Sequence, residues 1–275
     1  MAGRESIPCA LTVAGSDSGG GAGIQADLKT FAAVGVHGTS VITCVTAQNP
    51  RRVRGFQVCS PSIIRRQLEA VFEELCPAAA KTGMLHSAET IRVVARFLRR
   101  RKVPLIVDPV MVAGSGARLL KKDAVPVLSS ELLPLATLIT PNVAEAEILV
   151  RASLQSVEDL RAVARELHGR FGCGVLVKGG HLRGVNDAVD IFYDGKEELV
   201  LSAAFVRGLR THGTGCTYSA AITAYLARGL SLPKAVCEAK QFITNAIVES
   251  QISGGHVVLN SFWRGGLRSR FNKRP

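Results

Sequence analysis

Aromatic residues make up only 5 % of this 275-residue chain, with a single Trp and three Tyr. Single-strand nucleic-acid binders interleave aromatics with basic charge, and no zinc-finger or RNA-binding signature interrupts the pattern, so no nucleic-acid partner is expected. The seven cysteines, at 9, 44, 59, 76, 173, 216 and 237, are odd in number, widely scattered and form no CxxC pair. That spacing argues against a zinc site and a disulfide framework, and leaves most of them as small buried hydrophobes carrying a thiol. Gly, Pro or charge interrupts every apolar run well short of the roughly 18 to 20 residues that cross a membrane. The opening MAGRESIPCALTVAG has no long apolar stretch after a basic start, so no signal peptide is expected and the chain reads as cytoplasmic. No internal repeat, low-complexity tract or Pro/Ser-rich linker divides it, so residues 1–275 read as one domain.

What the chain does have is 47 % hydrophobic residues, 20 % charged residues and a formal net charge of +12. The positive excess sits in Arg51, Arg52 and Arg54, in the run Arg99 to Lys102, and in a basic C-terminal tail from about 264 to 275. Solvated helix faces, together with a field that favours anionic substrates, account for it better than nucleic-acid binding does.

Short apolar runs alternate with amphipathic segments from end to end. ALTVAG is a buried strand feeding the glycine-rich GSDSGGGAG, and IQADLKTFAAVG places Ile24, Leu28, Phe31 and Ala32 on one helical face before Gly35 stops it. TSVITCVTA, AKTGML, PLIVDPVM, TLITPN and GVLVKGG are further strands. Helices are expected from Pro61 to Leu75, Glu89 to Arg101, Val143 to Leu149, Ser156 to Arg170, Gly215 to Arg228 and Leu232 to Ser250. DAVDIFYDGKEELVLSA reads as a hairpin turning at Asp194–Gly195. This pattern implies an α/β domain with a mostly parallel sheet covered on both faces. In such sheets ligands sit beyond the carboxyl ends of the strands, which is where the polar clusters after ALTVAG, VTA, IVDPV, ITPN and VKGG fall.

No GxxxxGK[ST] loop occurs, and GSDSGGGAG lacks an acidic residue placed to hold a ribose, so neither a P-loop nor a dinucleotide fingerprint is present. Residues 19–23 are then a ligand loop or only a flexible strand-to-helix turn. The stretch THGTGCT opens the alanine-rich helix near the end of the chain. Gly213 and Gly215 let successive amides point into one pocket, and the helix N-terminus adds its positive end. The same field would lower the pKa of the Cys216 thiol. Alternatively the segment is a plain helix cap whose cysteine packs inward; the local sequence favours neither.

GTGC before an alanine-rich helix resembles the ribokinase-like superfamily of small-molecule kinases. AGSDSGGGAGIQADLKTFAAVGVHGTSVITCVTAQN, KTGML, DPVMVAGSG, LITPNVAEAE, VKGGHL and THGTGCT, in this order, resemble the hydroxymethylpyrimidine and phosphomethylpyrimidine kinases of thiamine biosynthesis. The likeness runs from about residue 9 to residue 262, where GGHVVLNSF is similar to the family's GHGPVNHF ending. It implies a three-layer α/β/α ribokinase-like fold and ATP-dependent phosphorylation of 4-amino-5-hydroxymethyl-2-methylpyrimidine, then of its monophosphate to the diphosphate.

The resemblance also implies roles. Gln48 would read the aminopyrimidine edge through its amide, with Asp27, Gly15 and Val110 lining the pocket and Met84 stacked on the ring. Asp108 and Glu145 would hold Mg2+, Lys178 and Asn142 the phosphates, and the amides from Gly213 through Thr214 and Gly215 to Cys216 the anion hole. Cys216 would serve as a base for the hydroxyl and as a pocket wall for the phosphate monoester. Each has a plainer reading: Met84 as core, Gln48 as a strand-end cap, Asp27 on a solvated helix face, Glu145 as a first-turn carboxylate, Lys178 as a strand-end charge. Relatives of this kind are often dimers, so a homodimer is expected. A pyridoxal or pyridoxine kinase of the same fold is the alternative, and a non-catalytic basic sensor a third. Gln48 speaks for the pyrimidine, and the set Asp108, Glu145, Lys178 and GTGC against the sensor. The chain departs from the family's pattern at Gly114 (often Lys), Pro50 (often Thr), Thr82 (often Ile) and in GHVVLN.

Overall fold

The protein is described here by a computed structural model covering residues 6–113, 116–180, 182, 187–206 and 211–265. In chain order β1 (Cys9–Asp17) leads to α1 (Gly23–Ala33), β2 (His37–Asn49), β3 (Arg52–Val58) and α2 (Pro61–Glu74). Then come β4 (Ala79–Thr82), α3 (Ala88–Leu98), β5 (Leu105–Val107), α4 (Ala124–Val127), β6 (Leu138–Ile139), α5 (Val143–Val150) and α6 (Val157–Phe171). The chain ends with β7 (Gly174–Lys178), β8 (Asp187–Tyr193), β9 (Glu198–Ala204), α7 (Thr214–Ala227), α8 (Leu232–Val248) and the small hairpin β10 (Gln251–Ser253) and β11 (His256–Val258).

Nine strands form one sheet in the order β3-β2-β1-β4-β5-β6-β7-β8-β9. The six from β2 to β7 in that row run parallel, and antiparallel strands close both edges, β3 on one side and the β8–β9 hairpin on the other. Every residue of β4 and β5 is buried, as expected of strands covered on both faces. One core under α2, α3, α5 and α6 includes Ile64, Leu68, Ile91, Leu149 and Leu167. A second core, on the opposite face, packs Phe31 of α1 against Tyr218, Ile222, Phe242 and Ile243 of α7 and α8. The expected three-layer α/β/α architecture is present, and no helix among the described residues is long and apolar enough to cross a membrane.

Helix boundaries follow their caps. Ser60 and Ser87 accept from the backbone of Ile63 and Thr90, and Ser156 with Asp159 closes a full capping box. Gly35 (φ +81°) ends α1 as the sequence predicts. The Asp194–Gly195 turn also holds: Asp194 Oδ1 accepts from the amides of Lys196 and Glu197, and Gly195 has φ +90°. Strand β3 is the main addition. Its residues are nearly all exposed, so RVRGFQV has no buried face to mark it. Pro50 ends β2 ahead of a two-residue turn into β3, and Gly114 lies outside the described residues.

Thr82 is fully buried and its hydroxyl has no hydrogen-bond partner among the described residues. A buried unpaired hydroxyl carries a desolvation cost. Thr82→Val is therefore expected to raise the unfolding free energy by about 1 kcal/mol, read by urea denaturation; a clear loss of stability would contradict it.

Candidate active site

The site begins where β1 meets the sheet. A register shift between Ala14 and Ser16 brings Gly15 so close to its neighbours that a Cβ there would lie 2.8 Å from Cys44 Sγ and 3.4 Å from Met84 Sδ. Asp17 then organises the glycine run. Its Oδ1 accepts from the Gly19 amide at 2.8 Å, and Oδ2 from Gly21 and Ala22 at 3.1 and 2.8 Å. These amides are therefore committed to an internal carboxylate, and the segment is an ordered loop rather than a free turn. Burial would push the Asp17 carboxyl up, but His212 and the Gly19 and Ala22 amides outweigh it and hold it below the usual range.

A second glycine loop packs backbone to backbone against the first. Gly213, with φ +83°, is the N-cap of α7, and a Cβ there would overlap the Gly21 carbonyl. The Thr217 amide makes the first helical bond, to Gly213 O at 2.9 Å, so the N–H groups of Thr214, Gly215 and Cys216 belong to the open first turn. His212 Nε2 lies 3.2 Å from Asp17 Oδ2 and 3.0 Å from Gln48 Nε2, joining both loops to the end of β2.

Charged groups gather at the carboxyl ends of the central strands. Lys178 Nζ at the end of β7 contacts Asp108 Oδ1, just past β5, at 2.8 Å. Thr140 and Ser219 also donate to Asp108, at 3.2 and 3.3 Å. Burial opposes ionisation of Asp108, yet Lys178 and Lys81 prevail and keep its carboxyl low. Burial likewise disfavours the Lys178 ammonium, and Asp108 and Glu145 overcome it. Gly215 keeps the first turn of α7 open to this cation: a Cβ there would be 3.2 Å from Lys178 Nζ.

Asn142 and Glu145 form a capping box at the start of α5, with Glu145 Oε2 accepting from the Asn142 amide and Asn142 Oδ1 from the Glu145 amide, both at 2.9 Å. The plainer reading of Glu145 thus holds, and its carboxylate still borders the cavity. Burial pushes it up to about 7, with Lys178 opposing and Asp108 adding. Among the described residues no group of three or more His, Cys, Asp or Glu could enclose a metal ion. Two adjacent carboxylates beside an anion loop suit Mg2+, which takes one or two carboxylates and completes its shell with water and phosphate oxygens.

Asp17, Asp108, Asn142, Glu145, Lys178 and the Gly213–Cys216 turn border one cavity of about 450 Å3. Gly15, Met84, Val110 and Gln48 line its other end, where Cys44, Met84 and Leu119 form a small apolar cluster. Two expectations need correction. Asp27 belongs to the cavity lining and not to a solvated helix face: it is fully buried, and its carboxylate takes the Lys81 ammonium at 2.8 Å and the Thr12 hydroxyl at 2.6 Å. The Cys216 thiol is not lowered by the helix N-terminus. Burial pushes it up to about 11, against the opposing charge of Lys81 and the Gly23 amide. Desolvation exceeds the few tenths to 2 kcal/mol a helix end supplies.

The sequence reading passed over Asp17, Lys81, His212, Asp190 and Lys240, all on the cavity wall. Lys81 had one local signal, a charge inside the otherwise apolar strand AAKT.

This arrangement of cation, carboxylates and amide loop at the strand ends of an α/β/α sheet defines a phosphotransferase of the ribokinase-like class. Residues 17–260 match the phosphomethylpyrimidine kinase family, and the chain belongs to that family. It is 51 % identical over 239 residues to the hydroxymethylpyrimidine/phosphomethylpyrimidine kinase of Rhizobium meliloti, covering 86 % of this chain and 90 % of that protein. It is 48 % identical over 252 residues to the thiamine biosynthesis bifunctional protein ThiED of Geobacter sulfurreducens, covering 91 % of this chain; there it spans only about half the relative's length, 51 %. Among solved structures, an ADP complex of Bacillus subtilis pyridoxal kinase superposes with a TM-score of 0.85 at 38 % identity, over 93 % of this chain and 98 % of that one.

The thiol position has a direct test. With its folded-state pKa above the ordinary value of 9.0, Cys216 contributes stability that is complete below about pH 9 and lost as pH rises towards 11. Iodoacetamide labelling of Cys216, followed by peptide mass spectrometry, should be slow at pH 7 and accelerate steadily to pH 10. Rapid labelling at neutral pH would contradict a thiol held protonated in its partly buried site.

Proposed function

We propose that the chain is an ATP-dependent kinase that phosphorylates 4-amino-5-hydroxymethyl-2-methylpyrimidine, then converts its monophosphate to the diphosphate. The observation that carries this reading is a single cavity with a phosphate-binding end (Lys178, Asn142 and the Gly213–Cys216 loop) and a small apolar end (Met84, Val110, Gly15) beside the Gln48 amide. In each transfer an acceptor oxygen bonds to the γ-phosphorus while the bond to ADP breaks. Lys178 and the Thr214, Gly215 and Cys216 amides would stabilise the charge spread over the phosphoryl oxygens, and Asp108 and Glu145 would hold Mg2+, which neutralises phosphate charge. Gln48 reads the aminopyrimidine edge and Met84 lies against the ring. Asp27 holds Lys81 at the cavity wall. The protein is proposed to work in the cytoplasm as a homodimer, for which sedimentation should give twice the 29.2 kDa chain mass.

An ADP-release assay offering the pyrimidine alcohol, its monophosphate and pyridoxal in parallel tests the reading. Turnover on the first two is expected, and none on either would sink it. Pyridoxal is kept as the second substrate class because a pyridoxal kinase shares 38 % identity and the fold. Gln48→Ala should lower kcat/KM for the pyrimidine at least tenfold, as expected when a buried polar edge loses its partner, and leave pyridoxal little changed.

Cys216 has two parts. In the first transfer the hydroxymethyl proton must leave, and the thiolate accepts it. In the second the substrate is already a phosphate monoester, and Cys216 only walls the pocket. Because burial disfavours the thiolate, kcat for the alcohol should climb from pH 7 to 9 while kcat for the monophosphate stays nearly flat. Cys216→Ala should cut the first by roughly 100-fold or more and abolish its pH dependence. Matching profiles for both substrates would remove Cys216 as the base.

A further inference from the structure

A third buried ion pair borders the same cavity, and nothing in the reaction above uses it. Asp190 on β8 is 4 % exposed and Lys240 on α8 is 9 % exposed. Lys240 Nζ contacts Asp190 Oδ2 at 2.7 Å and the Ala188 carbonyl at 2.9 Å. The other oxygen, Asp190 Oδ1, accepts from the Gly179 amide at 2.9 Å. Gly179 directly follows Lys178, and Asp190 is the cross-strand partner of Lys178 itself. A Cβ on Gly179 would overlap the Val189 carbonyl, so this backbone is clamped from the amide side and the Cα side together. On the N-terminal side the Lys178 amide donates to Pro141 O at 2.8 Å.

A buried ion pair is weak evidence for stability, because well-packed apolar residues of similar volume do as well or better. Its presence here calls for another role. We propose that the Asp190–Lys240 pair is a positioning device for Lys178: Asp190 fixes the strand end that carries the phosphate-binding ammonium, and Lys240 supplies the charge that lets a carboxylate remain buried there. Since Ile243, Thr244 and Ile247 of the same helix line the cavity, the pair also ties the α8 wall to the end of β7. Displacement of a reacting group by about 1 Å costs up to 100-fold in rate, so losing the Gly179 anchor should appear in kcat. The pyrimidine end, built from other strands, should be untouched.

The inference rests on the kinase reading and on the phosphate role of Lys178, so wild type and Lys178→Ala are assayed first. If Lys178→Ala keeps wild-type kcat, that role fails and the positioning inference fails with it. The deciding pair is Asp190→Leu/Lys240→Met, which removes both charges and the acceptor, and Asp190→Asn/Lys240→Met, which removes the charges and keeps an acceptor for Gly179. With melting temperatures matched to wild type, the leucine variant should lose at least tenfold in kcat at a pyrimidine KM within about twofold. The asparagine variant should recover to within about threefold of wild type. If the leucine variant does not melt cooperatively, Asp190→Ser/Lys240→Met, whose hydroxyl is too short to reach Gly179, replaces it under the same criterion. A folded variant lacking the acceptor that keeps wild-type kcat overturns the proposal, as does an asparagine variant as slow as the leucine one.

Discussion

The structure depends on how charge survives without water at the carboxyl edge of the sheet. Lys178 and Asp108 sit 2.8 Å apart with side chains only 12 % and 3 % exposed. Isolated, either ion would be driven neutral by burial. Together, and with Thr140 and Ser219 donating to the carboxylate, both remain ionised. Close pairing recurs at Lys81–Asp27 and Lys240–Asp190, although there burial outweighs the neighbouring ammonium and leaves each carboxyl above its ordinary value. Breaking one partner of such a pair leaves an uncompensated buried charge, so the three pairs fix the strand ends far more firmly than their net stabilisation suggests. Glu145 lacks even that pairing among the described residues. It has backbone amides and a distant share of Lys178 rather than an ammonium of its own, and its pKa near 7 records the difference.

Glycine supplies the other condition, close approach. The Gly213 loop meets the Gly21 carbonyl where no side chain fits, which brings the open turn of α7 against the loop gathered by Asp17. Burial at that contact sets the chemistry of Cys216. The helix end and Lys81 both favour a thiolate, and desolvation wins over both. A motif that looks activating in one dimension is therefore held in its neutral form by packing that appears only in three.

The alternation of strands and helices was legible because each central strand is a short apolar run and most of the longer helices carry a cap or a glycine stop. Strand β3 was not, since an exposed edge strand has no reason to alternate. The segment from Ala124 to Leu135, with Pro126 and Pro134 inside it, breaks into a short helix, a π turn and a 3-10 turn, so no single period marks it. At the site, the residues within recognisable motifs all reach the cavity. The missed ones matter through distant partners: His212 meets Asp17 across 195 positions, Lys81 meets Asp27 across 54 and Lys240 meets Asp190 across 50. No local spacing encodes such pairings. They follow from how α1, α8 and the loop before α7 pack against the sheet.

The chain's net charge of +12 invites the idea that the site attracts phosphate through a general positive field. The cavity itself argues otherwise. Its described wall carries five carboxylates, Asp17, Asp27, Asp108, Glu145 and Asp190, against three ammonium groups, Lys81, Lys178 and Lys240. Two of those cations already have buried carboxylate partners of their own, and the third is shared with Asp108. A polyphosphate entering such a wall meets amides and one half-spent lysine, which cannot balance it alone. A divalent cation held by the Asp108 and Glu145 carboxylates would supply the missing charge, and Glu145, poised near neutrality, would gain a reason to ionise as the cation arrives. The surface charge would then steer anions towards the protein at long range, while discrimination at the site would rest on buried pairs, open amides and a metal bound together with its phosphates.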